Sequence, residues 1–286
     1  MRILLTGAAG SIGKELSKYL RTFSYQLIPV DMVRCKNILS ADLREEAKVY
    51  HLLKEYTPDL ILHLAAQKNL LFCEQNKEVA HSINYGITEI LTRACLELKT
   101  RMIFFSSDYV FGKYDSFWQE NDLPCPTTQY GIDKVACEKL IQERLSDYAI
   151  IRTAQLYGFP GDFINLVCET LASKQNFFAF TNLINCLTWI GDLFPMVHQI
   201  INQNSQGIFH CVGSEAMSRH QFACEIAKAL ALDPSYIQAI DLDFSKDIRP
   251  PSVRLDGTFT YQSLQVYPGR VRDNLFRCSN HTRSCL

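Results

Sequence analysis

Tyr130 and Lys134 stand four residues apart at the head of a stretch with helical character, so phenol and ammonium project from one face. A cation beside a phenol favours the phenolate, and Lys134 is therefore expected to lower the Tyr130 pKa toward values useful for acid/base work. Ser106-Ser107-Asp108 lies upstream, directly after the apolar run Met102–Phe105. Ligands of open α/β sheets bind outside the carboxyl ends of the strands, so a Ser107 hydroxyl there is placed to meet the tyrosine. Serine, tyrosine and lysine in this order form a candidate acid/base set.

A second constellation opens the chain. Thr6-Gly7-Ala8-Ala9-Gly10-Ser11-Ile12-Gly13 follows the apolar strand Ile3–Leu5 and precedes an amphipathic helix over Ser11–Phe23. Glycines permit a tight turn and close approach of a pyrophosphate, and the helix start offers unpaired N–H groups and a positive dipole end. Gly7, Ala9, Gly10, Ser11, Ile12 and Gly13 are thus candidate cofactor contacts. Asp31 closes the second strand, Leu27–Val30, where the ribose of a dinucleotide lies. Asp31 favours NAD because it accepts from a free 2′-hydroxyl and repels a 2′-phosphate. Arg34 and Lys36 lie close enough to reverse that preference, so both NAD and NADP stay open.

The elements that position these residues follow from periodicity. Strands over Leu60–Leu64, Met102–Phe105 and Tyr148–Arg152 alternate with helices over Glu45–Tyr56, Val79–Leu98 and Lys134–Leu145. Such alternation implies parallel strands with right-handed crossovers and helices on both faces: an α/β, Rossmann-type doubly wound sheet. The expected division is a cofactor-binding domain over 1–155, completed by segments around 181–217, and a smaller substrate-binding domain over 156–286. Phe163–Ser173, Leu193–Ile201 and Arg219–Ala231 read as helices and Ile208–Val212 as a strand. Beyond Asp241 the periodicity fades, and the arginine-rich stretch 269–286 is expected to be loosely ordered.

Composition narrows the function classes. The 286 residues are 47% hydrophobic and 21% charged with a net charge of −1, a balance that calls for neither nucleic acid nor an anionic membrane. The 11 cysteines are scattered, with no C-x-x-C pair and no zinc spacing, so no metal is expected and reduced thiols in a cytoplasmic protein are. The first residues run straight into a strand, leaving no room for a signal peptide, and no apolar run approaches a membrane span.

The G-x-x-G-x-x-G spacing, Ser107 and Tyr130/Lys134 together resemble the extended short-chain dehydrogenase/reductases. That resemblance implies that Asp42-Leu43 contacts the adenine and that Ala65 and Ala66, in His63-Leu64-Ala65-Ala66, flank the cofactor. It also implies that Ser107 orients and polarises a substrate carbonyl, Tyr130 carries the proton, and Lys134 binds the nicotinamide ribose. Asn84 matches a helix asparagine recurrent in the family, and a buried helix amide is an equally good reading of it. Phe105-Ser106-Ser107-Asp108-Tyr109-Val110-Phe111 further resembles the dTDP-4-dehydrorhamnose reductase subfamily, as do Glu120-Asn121-Asp122 with Pro124 and Pro126. Two more segments agree, Asn185–Leu193 and Arg249-Pro250 with Leu255-Asp256.

The resemblance implies hydride transfer from a reduced nicotinamide to C4 of a nucleotide-linked 4-keto-6-deoxysugar, with Asp108, Tyr109, Gln155, Asn185, Trp189 and Arg249 touching substrate. Asp108-Tyr109 lacks the Asp-Glu pair of the related dehydratases, which weighs against elimination of water. Arg152-Thr153-Ala154-Gln155 departs from the R-T-x-W string common in rhamnose-making members, and Leu187 replaces a frequent proline. The expected partner is a nucleotide-diphosphate sugar, and a homodimer is compatible with the resemblance. Two other outcomes stay open: a nucleotide-sugar 4-epimerase that retains NAD, and a non-catalytic NADP-binding regulatory subunit like the β-subunit of methionine adenosyltransferase.

Overall fold

A computed structural model of the chain describes residues 1–282, with side chains described through residue 278. From the amino terminus the elements are β1 (Arg2–Thr6), α1 (Ser11–Leu20), β2 (Gln26–Asp31), β3 (Leu39–Ser40), α2 (Glu46–Tyr56) and β4 (Leu60–His63). There follow α3 (Leu70–Gln75), α4 (Lys77–His81), a π-helical turn (Ser82–Gly86), α5 (Ile87–Leu98), β5 (Arg101–Phe105), β6 (Phe117–Trp118), α6 (Gln129–Arg144) and β7 (Tyr148–Arg152). The remainder comprises β8 (Gln155–Tyr157), α7 (Phe163–Ala172), β9 (Phe177–Phe180), β10 (Ile184–Trp189), α8 (Ile190–Asn202), β11 (Gly207–His210) and β12 (Ala216–Ser218). The last elements are α9 (Arg219–Ala229), β13 (Ile237–Ile240), β14 (Ser252–Leu255), α10 (Thr258–Leu264) and α11 (Val271–Thr282).

The chain divides into two compact units. The first holds Met1–Val110, Pro124–Arg152 and His198–Phe209; the second holds Phe111–Leu123, Thr153–Val197 and the chain from His210 onward. A seven-stranded sheet in the order β11-β7-β5-β4-β1-β2-β3 organises the first unit, with parallel pairings from β3 through to β7. Outward from β1 this is the order of a doubly wound Rossmann sheet. Every residue of β4 and β5 is buried, as expected of inner strands covered on both faces. The core against them includes Leu4, Val30, Ile61, Leu91, Phe104 and Ile150.

The second unit has its own core, in which Tyr157, Phe222, Ile226 and Leu275 pack together. Its sheet runs β12-β10-β14-β6, with β8 also parallel to β10. None of these short strands shows the alternation that a sequence reading relies on.

Three expected elements differ in detail. The helix expected over Val79–Leu98 is interrupted by the π-helical turn, which places Asn84 at a bulge of the kind that recurs at functional sites. The helix expected from Lys134 begins five residues earlier, because Thr128 caps it by accepting from the Gly131 N–H at 3.0 Å. Tyr130 consequently sits within the first turn. The stretch expected to be loosely ordered from residue 269 instead contains α11, anchored where Val271 and Leu275 are buried. Residues 283–286 of that stretch lie outside the described residues.

Candidate active site

The β1–α1 turn holds Gly7, Ala9, Gly10, Ser11, Ile12 and Gly13, and its backbone leaves no space for a side chain at Gly7 or Gly13. Gly7 has φ +70°, and a Cβ on Gly13 would stand 2.2 Å from the Gly7 carbonyl oxygen. The turn is fastened from the side by Asp31 at the end of β2. Its carboxylate accepts from the Ala9 N–H at 2.9 Å and the Val33 N–H at 2.9 Å. The N-terminus of α1 has no side-chain cap, and the first N–H groups of a helix have no partner within the helix itself. This arrangement fits the pyrophosphate of a dinucleotide.

Buried hydrogen bonds hold the cradle against β4. Thr6 Oγ1 accepts from the N–H groups of Leu64 and Ala65, both at 3.1 Å, so its proton goes to His63 Nδ1 at 2.8 Å. His63 is thereby assigned as the Nε2–H tautomer and donates to Thr88 Oγ1 at 3.0 Å; Thr88 in turn donates to the Asn84 carbonyl at 2.7 Å. Burial, with the Lys134 charge nearby, lowers the His63 pKa to about 3 and keeps the ring neutral. The Asn84 amide carries the chain onward. Its oxygen accepts from the Gln67 N–H at 2.8 Å and its nitrogen donates to the Gln67 carbonyl at 3.2 Å. Ala65 and Ala66 are half-buried in the loop so held. Leu43 is buried, and Asp42 pairs with Arg44 through both oxygens, at 2.9 and 2.6 Å. That bonding holds the Asp42 carboxyl below its ordinary range.

At the end of β5 the chain turns sharply. Ser107 Oγ donates to Asp108 at 3.0 Å and accepts from the Tyr109 N–H at 3.3 Å. Helix α6 packs directly against this turn: a Cβ on Gly131 would lie 2.0 Å from the Tyr109 carbonyl oxygen, so only glycine allows the approach. The contact brings Tyr130 into a hydrogen bond with Ser107 and sets its ring edge-on to Tyr109 at 6.1 Å. Lys134 is buried. Its ammonium donates to the Phe105 carbonyl at 2.7 Å and stands 4.3 Å from the Phe104 ring centroid and 5.8 Å from that of Tyr130.

The electrostatic outcome reverses one expectation. Burial raises the Tyr130 pKa above its ordinary value, and the Asp108 charge adds to the rise; the Ser107 hydrogen bond opposes them. The expected lowering by Lys134 does not prevail, because the phenol is desolvated while the ammonium points at the Phe105 carbonyl. Burial also brings Lys134 down to about 8. Tyr130 is therefore a protonated phenol at neutral pH, suited to donating.

Beneath the site, Ser106 donates to Glu138 Oε1 at 2.5 Å, and Arg152 binds both oxygens of the same carboxylate at 3.0 and 2.7 Å. This fully buried pair fastens α6 to β5 and β7.

The remaining expected contacts lie in the second unit. Asn185 and Trp189 belong to β10, and Gln155 to the adjoining β8, where it registers with Leu187. Gln155 accepts from Arg219, whose guanidinium also lies 5.3 Å from the Phe163 ring centroid. Trp189 packs against Gly158 and Gly191. Arg249 forms a two-point pair with Asp247 at 2.8 and 2.7 Å. Arg219 was not anticipated; its signal was the helix start after Ser218, which carries a full capping box. Thr88, His81 and Asp133 were also missed, since no motif frames them. Among the described residues, no group of three or more His, Cys, Asp or Glu side chains is arranged to hold a metal, and no helix is long and apolar enough to cross a membrane.

Comparison with known proteins places the chain in a family. The RmlD substrate binding domain family matches residues 1–283. Methionine adenosyltransferase 2 subunit beta of Rattus norvegicus is 26% identical over 269 residues, covering 89% of this chain and 80% of the relative. Spore coat polysaccharide biosynthesis protein SpsK of Bacillus subtilis is 28% identical over 277 residues, covering 96% and 95%. The crystal structure of a dTDP-4-dehydrorhamnose reductase from Bacillus anthracis, in complex with NADP, superposes with a TM-score of 0.90 at 23% identity. The match covers 98% of this chain and 99% of that one. This likeness establishes the Rossmann-type fold, and the family match extends over nearly the whole chain: the protein belongs to the RmlD substrate binding domain family.

Proposed function

We propose that the protein is an NAD(P)H-dependent reductase of a nucleotide-linked 4-keto-6-deoxysugar. The observation that carries this reading is the Tyr130 phenol hydrogen-bonded to Ser107 at the end of β5, on the same helix as the buried Lys134. Gly7, Gly10, Gly13 and the α1 N-terminus would hold the pyrophosphate, with Asp31, Asp42, Leu43, Ala65 and Ala66 around the nucleoside. The reduced nicotinamide, when bound, supplies a hydride to the C4 carbonyl carbon. Tyr130 gives its phenolic proton to the carbonyl oxygen, completing the alcohol, while Ser107 donates a hydrogen bond to that oxygen as negative charge develops. Lys134 would bind the nicotinamide ribose. Asp108, Tyr109, Gln155, Asn185, Trp189 and Arg249 are the proposed substrate contacts.

The 26% identity to a subunit of methionine adenosyltransferase favours a second reading, a binding role without sugar chemistry. One experiment separates them: incubate the purified protein with NADPH or NADH and a panel of NDP-4-keto-6-deoxyhexoses. Stoichiometric cofactor oxidation by wild type, absent in Tyr130→Phe, supports the reductase. Equal inactivity of both proteins on every member sinks it. An oxidised NAD that copurifies and is never consumed would instead point to a 4-epimerase.

A further inference from the structure

Asp133 lies inside the Tyr130–Lys134 motif, one residue round the helix from the face that carries the chemistry. Its side chain is fully buried. Three donors converge on it: His81 Nδ1 at 2.8 Å and Gln129 Nε2 at 2.9 Å on one oxygen, and Asn84 Nδ2 at 3.5 Å on the other. A carboxylate only accepts, so His81 carries a proton on Nδ1. His81 closes α4 and stacks flat on Tyr85 at 4.8 Å, with half of its side chain exposed. The Gln129 N–H donates to Glu74 of α3 at 2.5 Å. The first turn of α6 is thus tied to α3, to the end of α4 and to the π-helical turn.

Asn84 is the shared member. The same amide that reaches Asp133 bonds both backbone groups of Gln67, beyond Ala65 and Ala66, and its carbonyl ends the chain from Thr6 through His63 and Thr88. An unbroken series of polar contacts therefore runs from the glycine turn to the turn bearing Tyr130 and Lys134. Nothing in acid/base chemistry at Tyr130 requires a carboxylate at 133. Burying one is unfavourable unless its partners recover the loss, so its charge is explained by the groups it holds.

We propose that Asp133, with His81 as its surface partner, is a positioning residue that locks the Tyr130/Lys134 turn to the cofactor loop through Asn84. It touches neither cofactor nor substrate and acts by fixing the geometry of both. The proposal rests on the reductase reading for its kinetic arm and is independent of it for its structural arm.

The test compares Asp133→Asn, His81→Ala and His81→Gln with wild type. Asp133→Asn keeps the volume but turns an N–H₂ toward groups that donate. Its kcat is expected to fall about ten-fold, with KM for the ketosugar and Kd for NADPH changing less than about three-fold. Backbone amide exchange at Gln67, far away in sequence, is expected to quicken together with that of residues 130–134. His81→Ala is expected to reproduce part of both effects, and His81→Gln, whose amide can still donate to Asp133, to recover most of the loss. Unchanged exchange at Gln67 in Asp133→Asn overturns the proposal, as does a glutamine no better than alanine at position 81. If wild type reduces no ketosugar, the reductase reading fails, and the exchange measurements still decide the role of Asp133.

Discussion

The residues expected to carry the chemistry and those expected to meet a sugar are bonded differently. In the first unit, Thr6, His63, Thr88, Asn84 and Asp133 are all buried and each bonds the next, from the glycine turn to the head of α6. In the second, the residues expected to meet a sugar form short local pairs: Gln155 with Arg219, and Asp247 with Arg249, the latter pair partly exposed. A change in a buried chain disturbs bonds along its length, whereas a change in a partly exposed pair is confined to the contacts of that pair. On the proposed function, a change in the buried chain would disturb the chemistry, and a change at the local pairs would alter the choice of substrate.

The comparison can be broken most easily at the reacting group. Tyr130→Phe removes the proton donor and little else; kcat is expected to fall between about 10²- and 10⁴-fold while cofactor Kd stays within a factor of about three. A parallel loss of cofactor binding would mean that the phenol holds the dinucleotide. The next largest effect is on stability. Glu138→Gln leaves Arg152 buried beside a neutral amide and is expected to cost about 3–5 kcal/mol in denaturant titration. A loss below about 1 kcal/mol would show that the first unit is less tightly committed than its bonding suggests.

His63 supplies a pH signature. Its pKa falls to about 3 on folding, so the unfolded chain binds the extra proton between pH 6.5 and pH 3. Stability contributed by the neutral ring is present above pH 6.5 and lost as pH falls through that window, by up to about 1.4 kcal/mol per unit. His63→Gln should flatten this part of the stability–pH curve. The smallest effect is expected in the second unit. Gln155→Trp replaces the Arg219 contact with an apolar face, and relative kcat/KM is expected to shift by about ten-fold among ketosugars differing at C5 or C6, with kcat for the best substrate nearly retained.

Legibility in the sequence follows the same division. The glycine turn, β4, β5 and the nearness of Ser107, Tyr130 and Lys134 could be read because parallel inner strands are continuous apolar runs and the motifs sit at their ends. The Thr128 cap and the bulge at Asn84 were not legible, since both depend on a hydrogen bond or an inserted residue within an otherwise ordinary helical pattern. The two-residue β6 and the short β8 and β12 lack the length for a period. Helix α11 was hidden by its polar composition, because among its residues described through 278 only Val271, Asn274 and Leu275 turn fully inward. The rise in the Tyr130 pKa was missed for a related reason. The i,i+4 spacing shows that Lys134 is near, but not that its ammonium aims at the Phe105 carbonyl or that the phenol is buried.

The most direct test of the central claim follows the hydride itself. Wild-type protein would be given NADPH or NADH deuterated at C4 of the nicotinamide, on each face in turn, with a nucleotide-linked 4-keto-6-deoxyhexose, and the product examined by NMR. One deuterium is expected, from one face only, bonded to C4 of the sugar, with the transfer slowed at least about 10²-fold in Tyr130→Phe. Unlabelled product formed without net cofactor oxidation, or no product from any such ketosugar, would contradict it.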